Sequence, residues 1–159
     1  VSDVNDSSSG KSDAKGDAVV FEYPIQIREG HLDTFGHVNN AVYLELFEEA
    51  RWDAITARGF GLDTIQEKKI GPVVLEIKIR FQKELRLREK LVIRSWTSSS
   101  SSSVSSKICT MTQVMINENG EEACRAEFVF GLFDLQKRRL MAPTPEWMHA
   151  IGLGVAKAP

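Results

Sequence analysis

Between His31 and Asn40 the sequence sets two of its three histidines, an aspartate and two asparagines within ten residues, its densest cluster of groups able to move protons or steady an oxyanion. Asp33 is the only acid in this stretch, and a carboxylate delivered by a loop can attack an electrophile or serve as base for water. The asparagines Asn39 and Asn40 stand where a helix would begin. The first turn of a helix has backbone amides without intrahelical partners and a dipole that favours negative charge, so it can hold an oxyanion. His37 has the chemistry of an acid or base, and Gly36 lets the loop bend. The same spacing also serves a purely structural purpose, with Asp33 and Asn39 capping a turn and a helix and the histidines hydrogen-bonding within a loop. Spacing alone does not separate these readings.

The elements that must position this cluster are legible on either side of it. Val19, Phe21, Tyr23, Ile25 and Ile27 alternate with polar residues, which predicts a half-buried strand. Pro24 has no amide to donate and places that strand at a sheet edge or at a bulge. Asn40 to Arg58 repeats apolar residues at three- and four-residue steps with no internal Gly or Pro, so it predicts a long helix, capped by Asn39 or Asn40 and stopped at Gly59. A shorter helix is expected over Leu62 to Lys68. Among the charged residues of the long helix, Glu49 is the expected inward one.

Strands follow at Val73 to Gln82, about Lys90 to Thr97, about Lys107 to Asn117 and Glu121 to Asp134, with a closing helix at Thr144 to Ile151. Asn119-Gly120 predicts a two-residue type I′ turn, which places Cys124 opposite Met115 and Cys109 opposite Phe130, too far apart for a disulfide. Phe128 to Phe133 is apolar on both faces and should be covered twice. One long helix after the first strand, then antiparallel strands without βαβ alternation, argues for an α+β fold whose sheet curls around the helix.

The chain has 159 residues, 42% of them hydrophobic, which suits one domain, here 19–152. Val1 to Ala18 holds five serines and six charged residues with almost no bulky apolar side chain, and reads as a disordered tail, with 153–159 as a second. The tail has no Arg and four Asp, unlike a transit peptide, and no signal peptide or membrane-length apolar run is present, so a cytoplasmic location is expected. A net charge of -2 gives no reason to expect nucleic acid or an anionic membrane as partner. Phosphate-loop, dinucleotide, Gly-x-Ser-x-Gly, Cys-x-x-Cys and His-Glu-x-x-His patterns are all missing, and the two cysteines are too few and too widely spaced for a paired-cysteine zinc site.

The run His31-Leu-Asp33-Thr-Phe-Gly36-His37-Val-Asn39-Asn40-Ala-Val-Tyr43, followed by Glu48-Glu49-Ala50-Arg51, resembles the active-site segment of the hotdog-fold thioesterases of the 4-hydroxybenzoyl-CoA thioesterase-like family. The likeness extends from about Phe21 to Gly152. It implies a long central helix wrapped by a curved antiparallel sheet of five or six strands, continued across a homodimer or assembled into a homotetramer. It further implies hydrolysis of an acyl-CoA or acyl-carrier-protein thioester without metal or redox cofactor, coenzyme A being part of the substrate. Asp33 matches the family's catalytic carboxylate and the Asn40 amide its carbonyl-polarising group, with His37 beside them. Gly36, Asn39 and Tyr43 would shape the substrate site. Lys83, Arg86 or Arg88 would meet phosphates, and Glu49 and Arg51 would form a structural pair or an interface contact.

Two other classes compete. A hotdog-fold hydratase or dehydratase would need Asp33 and His37 to act together on water, although hydratases of this fold carry Asn-Pro before the histidine where Phe35-Gly36 stands here. A non-catalytic acyl-thioester binding module would keep the pocket without turnover.

Overall fold

The computed structural model describes residues 19–98 and 107–154. The expected N-terminal tail, residues 155–159 and most of the serine run that begins at Ser98 lie outside the described residues, whereas Leu153, expected in the second tail, packs against the core cluster around Trp147 and its amide donates to Met148 O at 2.9 Å. Six strands form one antiparallel sheet: β1 (Val20–Gln26), β2 (Ile70–Phe81), β3 (Lys90–Ser98), β4 (Ile108–Asn117), β5 (Glu122–Asp134) and β6 (Arg139–Met141). The order is β1-β3-β4-β5-β2, with β6 paired to β5. Among the described residues there are three α-helices, α1 (Asn40–Ala57), α2 (Leu62–Lys68) and α3 (Pro145–Ala150), besides a single 3-10 turn at Glu29–His31. No helix among the described residues is long and apolar enough to cross a membrane.

α1 begins where the asparagines predict. Asn39 is the N-cap, and its side chain accepts from the Ala41 amide at 2.9 Å, satisfying one orphan donor of the first turn. At the other end Arg58 caps the helix and Gly59 turns the chain with φ +84°, a conformation other residues enter only at a cost. The face made of Tyr43, Leu46, Phe47, Ala50, Ala54 and Ile55 is buried. Around its first half close Ile27, Leu85, Ile93, Met115 and Phe128, and a second cluster of Phe60, Phe130, Trp147 and Ile151 closes around its end. Hydrophobic burial along this one helix therefore fixes its direction across the sheet, and with it the place of the His31–Asn40 loop.

Pro24 lies opposite Val92 in β1, which pairs only with β3 and is an edge strand, so its missing amide costs the sheet nothing. β2 is the opposite edge. It starts at Ile70, earlier than alternation from Val73 suggests, and a bulge at Leu75 lets Val74 pair Phe130 and Ile77 pair Phe128.

The β4–β5 hairpin corrects one expectation. Its loop is not a two-residue type I′ turn: the Asn117 amide donates to Glu121 O at 3.0 Å and the Gly120 amide to Asn117 O at 3.0 Å, with Gly120 the positive-φ residue at +76°. This is a three-residue loop, reinforced by Asn117 Oδ1, which accepts from the Asn119 and Glu121 amides. A register shift between Met115 and Ile116 then restores the expected pairs Met115 with Cys124 and Cys109 with Phe130, and both cysteines are free.

Candidate active site

The loop before α1 is built around Asp33. Its Oδ1 accepts from the Phe35 amide at 2.8 Å and from the His37 amide at 3.3 Å, while its main chain exchanges bonds with His37 O and the Gly36 amide. Gly36 takes φ +79°, which makes the turn back possible, and it stands on the turn rather than along the cleft wall. Short bridges from Leu32 to Val38 and from the Val38 amide to Leu85 O anchor the loop to the body of the sheet. Asp33 Oδ2 makes no hydrogen bond among the described residues, so one carboxylate oxygen holds the loop and the other is available.

An open cleft of about 330 Å³ brings Asp33, His37, Asn39, Asn40 and Tyr43 together. The Asn40 amide is the first of α1. It has no intrahelical acceptor, and no loop or cap bond among the described residues takes it. A residue with an unengaged carboxylate oxygen and one with an unengaged helix-terminal N–H thus line one open cleft, the two kinds of group that acyl transfer uses. Tyr43 closes the floor, buried and edge-on to Phe81 with ring centroids 5.0 Å apart. Burial, then the neighbouring Cys124, pushes its phenol up to about 12, so it stays neutral at any working pH.

The histidines take different places. His31 Nδ1 accepts from the Arg28 amide at 3.1 Å, which makes it part of the loop's scaffold. His37 turns its Nε2 to Glu84 at 3.1 Å, and its bond to Asp33 runs through its backbone. Asp33 and His37 therefore do not form the side-chain dyad that a hydratase would require.

In the far wall of the cleft, Phe81 to Glu84, only Lys83 was expected near substrate, as a phosphate contact, and the other three were not signalled as site residues. Alternation identifies the strand that ends at Phe81 but not what its end faces. The turn is fixed by the Gln82 and Lys83 amides, which both donate to Ala123 O. The basic residues nearby are each matched by an acid: Lys83 pairs with Glu121, Arg88 with Glu29, and Arg86 with Glu84 at 3.3 Å.

On α1 the expectation for Glu49 is corrected. Glu49 is exposed and accepts from the Tyr23 hydroxyl at 2.5 Å, whereas Arg51 turns inward. Arg51 Nη1 donates to Gln113 Oε1 at 2.7 Å and its guanidinium lies 4.1 Å from the Phe128 ring centroid, so Glu49 and Arg51 are not a pair. Gln113 is fully buried and donates through Nε2 to Phe47 O and to Ser95 Oγ. Among the described residues no three His, Cys, Asp or Glu side chains come together as metal ligands.

Comparison with known proteins gives a consistent picture. The family model described as "Thioesterase-like superfamily" matches residues 27–151. The long-chain acyl-CoA thioesterase FadM of Escherichia coli is 32% identical over 119 residues, 74% of this chain and 86% of that protein. The chloroplastic acyl-acyl carrier protein thioesterase ATL3 of Arabidopsis thaliana is 29% identical over 87 residues, 55% of this chain and 46% of that protein. Among solved structures, the probable thioesterase YbaW of Escherichia coli superposes with TM-score 0.71 at 30% identity, covering 84% of this chain and 97% of the other.

Proposed function

The chain belongs to the thioesterase-like superfamily and has its hotdog fold, and from that premise we propose that it is a thioester hydrolase that cleaves an acyl-CoA with Asp33 as its catalytic carboxylate. The observation that carries this reading is that Asp33, with one oxygen unengaged, and Asn40, with its amide unengaged, line the same cleft. The thioester carbonyl oxygen accepts from the Asn40 N–H, where the α1 dipole stabilises the charge that grows on it in the tetrahedral state. Asp33 then either takes a proton from the attacking water or itself attacks the carbonyl carbon to give an anhydride that water opens. In both routes the C–S bond breaks, the thiolate leaves and is protonated, and a free acid remains. Only water is consumed. Tyr43 and Phe81 give the reacting end an apolar floor, and His37, held by Glu84, frames the wall.

The named activities of FadM and ATL3 support CoA and carrier-protein thioesters as the two substrate classes to compare. We favour a homodimer joined along β2, because this edge strand leaves Val74, Leu75, Ile77 and Phe81 between 40% and 49% exposed. The reading carries a cytoplasmic location with it. Free-thiol release from short, medium, long-chain and aromatic acyl-CoAs, with an acyl-carrier-protein series beside them, tests the function. Turnover is expected on at least one series, whereas saturable binding without thiol release would assign the chain to the binding modules.

A further inference from the structure

Arg51 is a half-buried cation turned inward, with Glu48 near enough to favour its charge but not in ion-pair contact. It forms no ion pair among the described residues, and of its five N–H donors one on Nη1 serves Gln113 while Nε and Nη2 donate to no described acceptor. Burial pulls the guanidinium down to about 10, so it is still charged at neutral pH. Even at half burial, charged donors left without an acceptor are costly, and such groups are normally paired or given a ligand.

The space in front of Arg51 is a small cavity of about 110 Å³ walled by Val74, Met111, Phe128, Phe130 and Trp147, with Glu48 also lining it. It is smaller than the apolar cavity of about 150 Å³ that accepts benzene, so it suits the end of a chain rather than a ring. A row of apolar side chains on β2 runs between it and the Asp33 cleft. Directly paired residues point to the same face of a sheet, and the β2 residues Phe81, Ile79, Ile77 and Val74, at the exposed edge, pair with Cys124, Ala126, Phe128 and Phe130 of β5, which are buried. Phe81 lines the cleft at one end of this row and Val74 the cavity at the other. On α1 the same interval runs from Asn40 to Arg51, roughly 16 Å at the helical rise.

We propose that the Arg51 cavity is a distal subsite that binds a neutral oxygen function, a hydroxyl or keto group, near the far end of an acyl chain whose thioester sits at Asp33. This rests on the thioesterase reading. A chain lying along this row reaches Arg51 with its last carbons, and an oxygen there accepts the N–H bonds that nothing else in the described structure takes. A carboxylate is the poorer ligand, because Glu48, held by Trp52 Nε1 at 3.3 Å, presents a like charge to the same space.

Thiol release from three CoA series of equal length, ending in methyl, hydroxyl or carboxylate, tests the subsite. At the length that spans the row the hydroxy chain should show a KM roughly tenfold below the methyl chain, the worth of one hydrogen bond to a charged donor. Shorter chains should show no difference, and Arg51→Met should abolish the preference. Equal KM values at every length, a preference for the carboxylate, or a preference that survives in folded Arg51→Met would each overturn the proposal. The wild-type series decides the matter even where Arg51→Met does not fold. If no thioester is turned over, it is the thioesterase reading that has failed. Calorimetric binding of a free hydroxy fatty acid against its unsubstituted counterpart then judges the subsite separately: tighter binding of the hydroxy acid supports it, and equal binding rejects it.

Discussion

Asp33 has one oxygen engaged by its loop and the other unengaged, and on the proposed mechanism that division decides which substitution is informative. Asp33→Ala would remove the acceptor for the Phe35 and His37 amides together with the charge, whereas Asp33→Asn keeps Oδ1 and removes only the charge. Tyr43 gives a second residue-level consequence. Its phenol is held near 12 in the folded chain against about 10 when unfolded, and the Cys124 thiol is likewise pushed up to about 12 by burial. Both groups ionise more readily unfolded, so the stability tied to them is intact below their unfolded values and is lost as pH rises through roughly 9 to 12. Denaturant unfolding at pH 9 and pH 11 should show this loss, and Tyr43→Phe should shrink it by up to about 1.4 kcal/mol per pH unit; an unchanged slope in the variant would contradict the burial argument. At this scale the sequence was informative for Asp33, Asn39, Asn40 and Tyr43, because a loop-to-helix junction brings near neighbours into one cleft. It misled at Glu49, since periodicity locates a helix face only to within one residue, and Arg51 is inward because its donor meets Gln113 and its plane meets Phe128.

α1 links the fold to the chemistry, for the turn that buries Tyr43 also presents the Asn40 amide. Asn39 orients that turn through its bond to the Ala41 amide, so Asn39→Ala should cost about 1 kcal/mol of stability, the usual value of an N-cap. On the proposed mechanism its effect on kcat should exceed what that loss explains, because the Asn40 amide moves with the cap. Thermal melts beside kcat measured well below the transition separate the two effects, and a variant with lowered Tm and full kcat would show that the cap has no catalytic share. The boundaries of α1 and α2 were readable because caps and apolar spacing are local signals. β6 was not, since its three residues are too few to show alternation and owe their pairing to β5. The hairpin loop escaped for a related reason: Asn-Gly serves several turns, and it is the Asn117 side chain, bonding two amides of the loop, that selects the longer one.

For the molecule as a whole, the exposed apolar row on β2 is the feature that a lone copy leaves unfinished. Analytical ultracentrifugation should find a dimer, and Ile77→Glu, which puts a charge on that edge, should shift it to monomer with loss of turnover; a wild-type monomer at every concentration would exclude β2 as a joint. Single-sequence reading reached the sheet around the helix because each strand carries its own alternation. The strand end opposite α1, Phe81 to Glu84, was beyond it, because that juxtaposition arises only when the curved sheet closes. The central claim is that the Asp33 charge does the chemistry, and its most direct test is kcat/KM for thiol release by wild type and Asp33→Asn on the best acyl-CoA, with matched thermal melts. The prediction is a fall of about a hundred- to ten-thousandfold with Tm nearly unchanged, as for loss of a positioned catalytic acid–base group; equal kcat/KM in two equally stable proteins would contradict it.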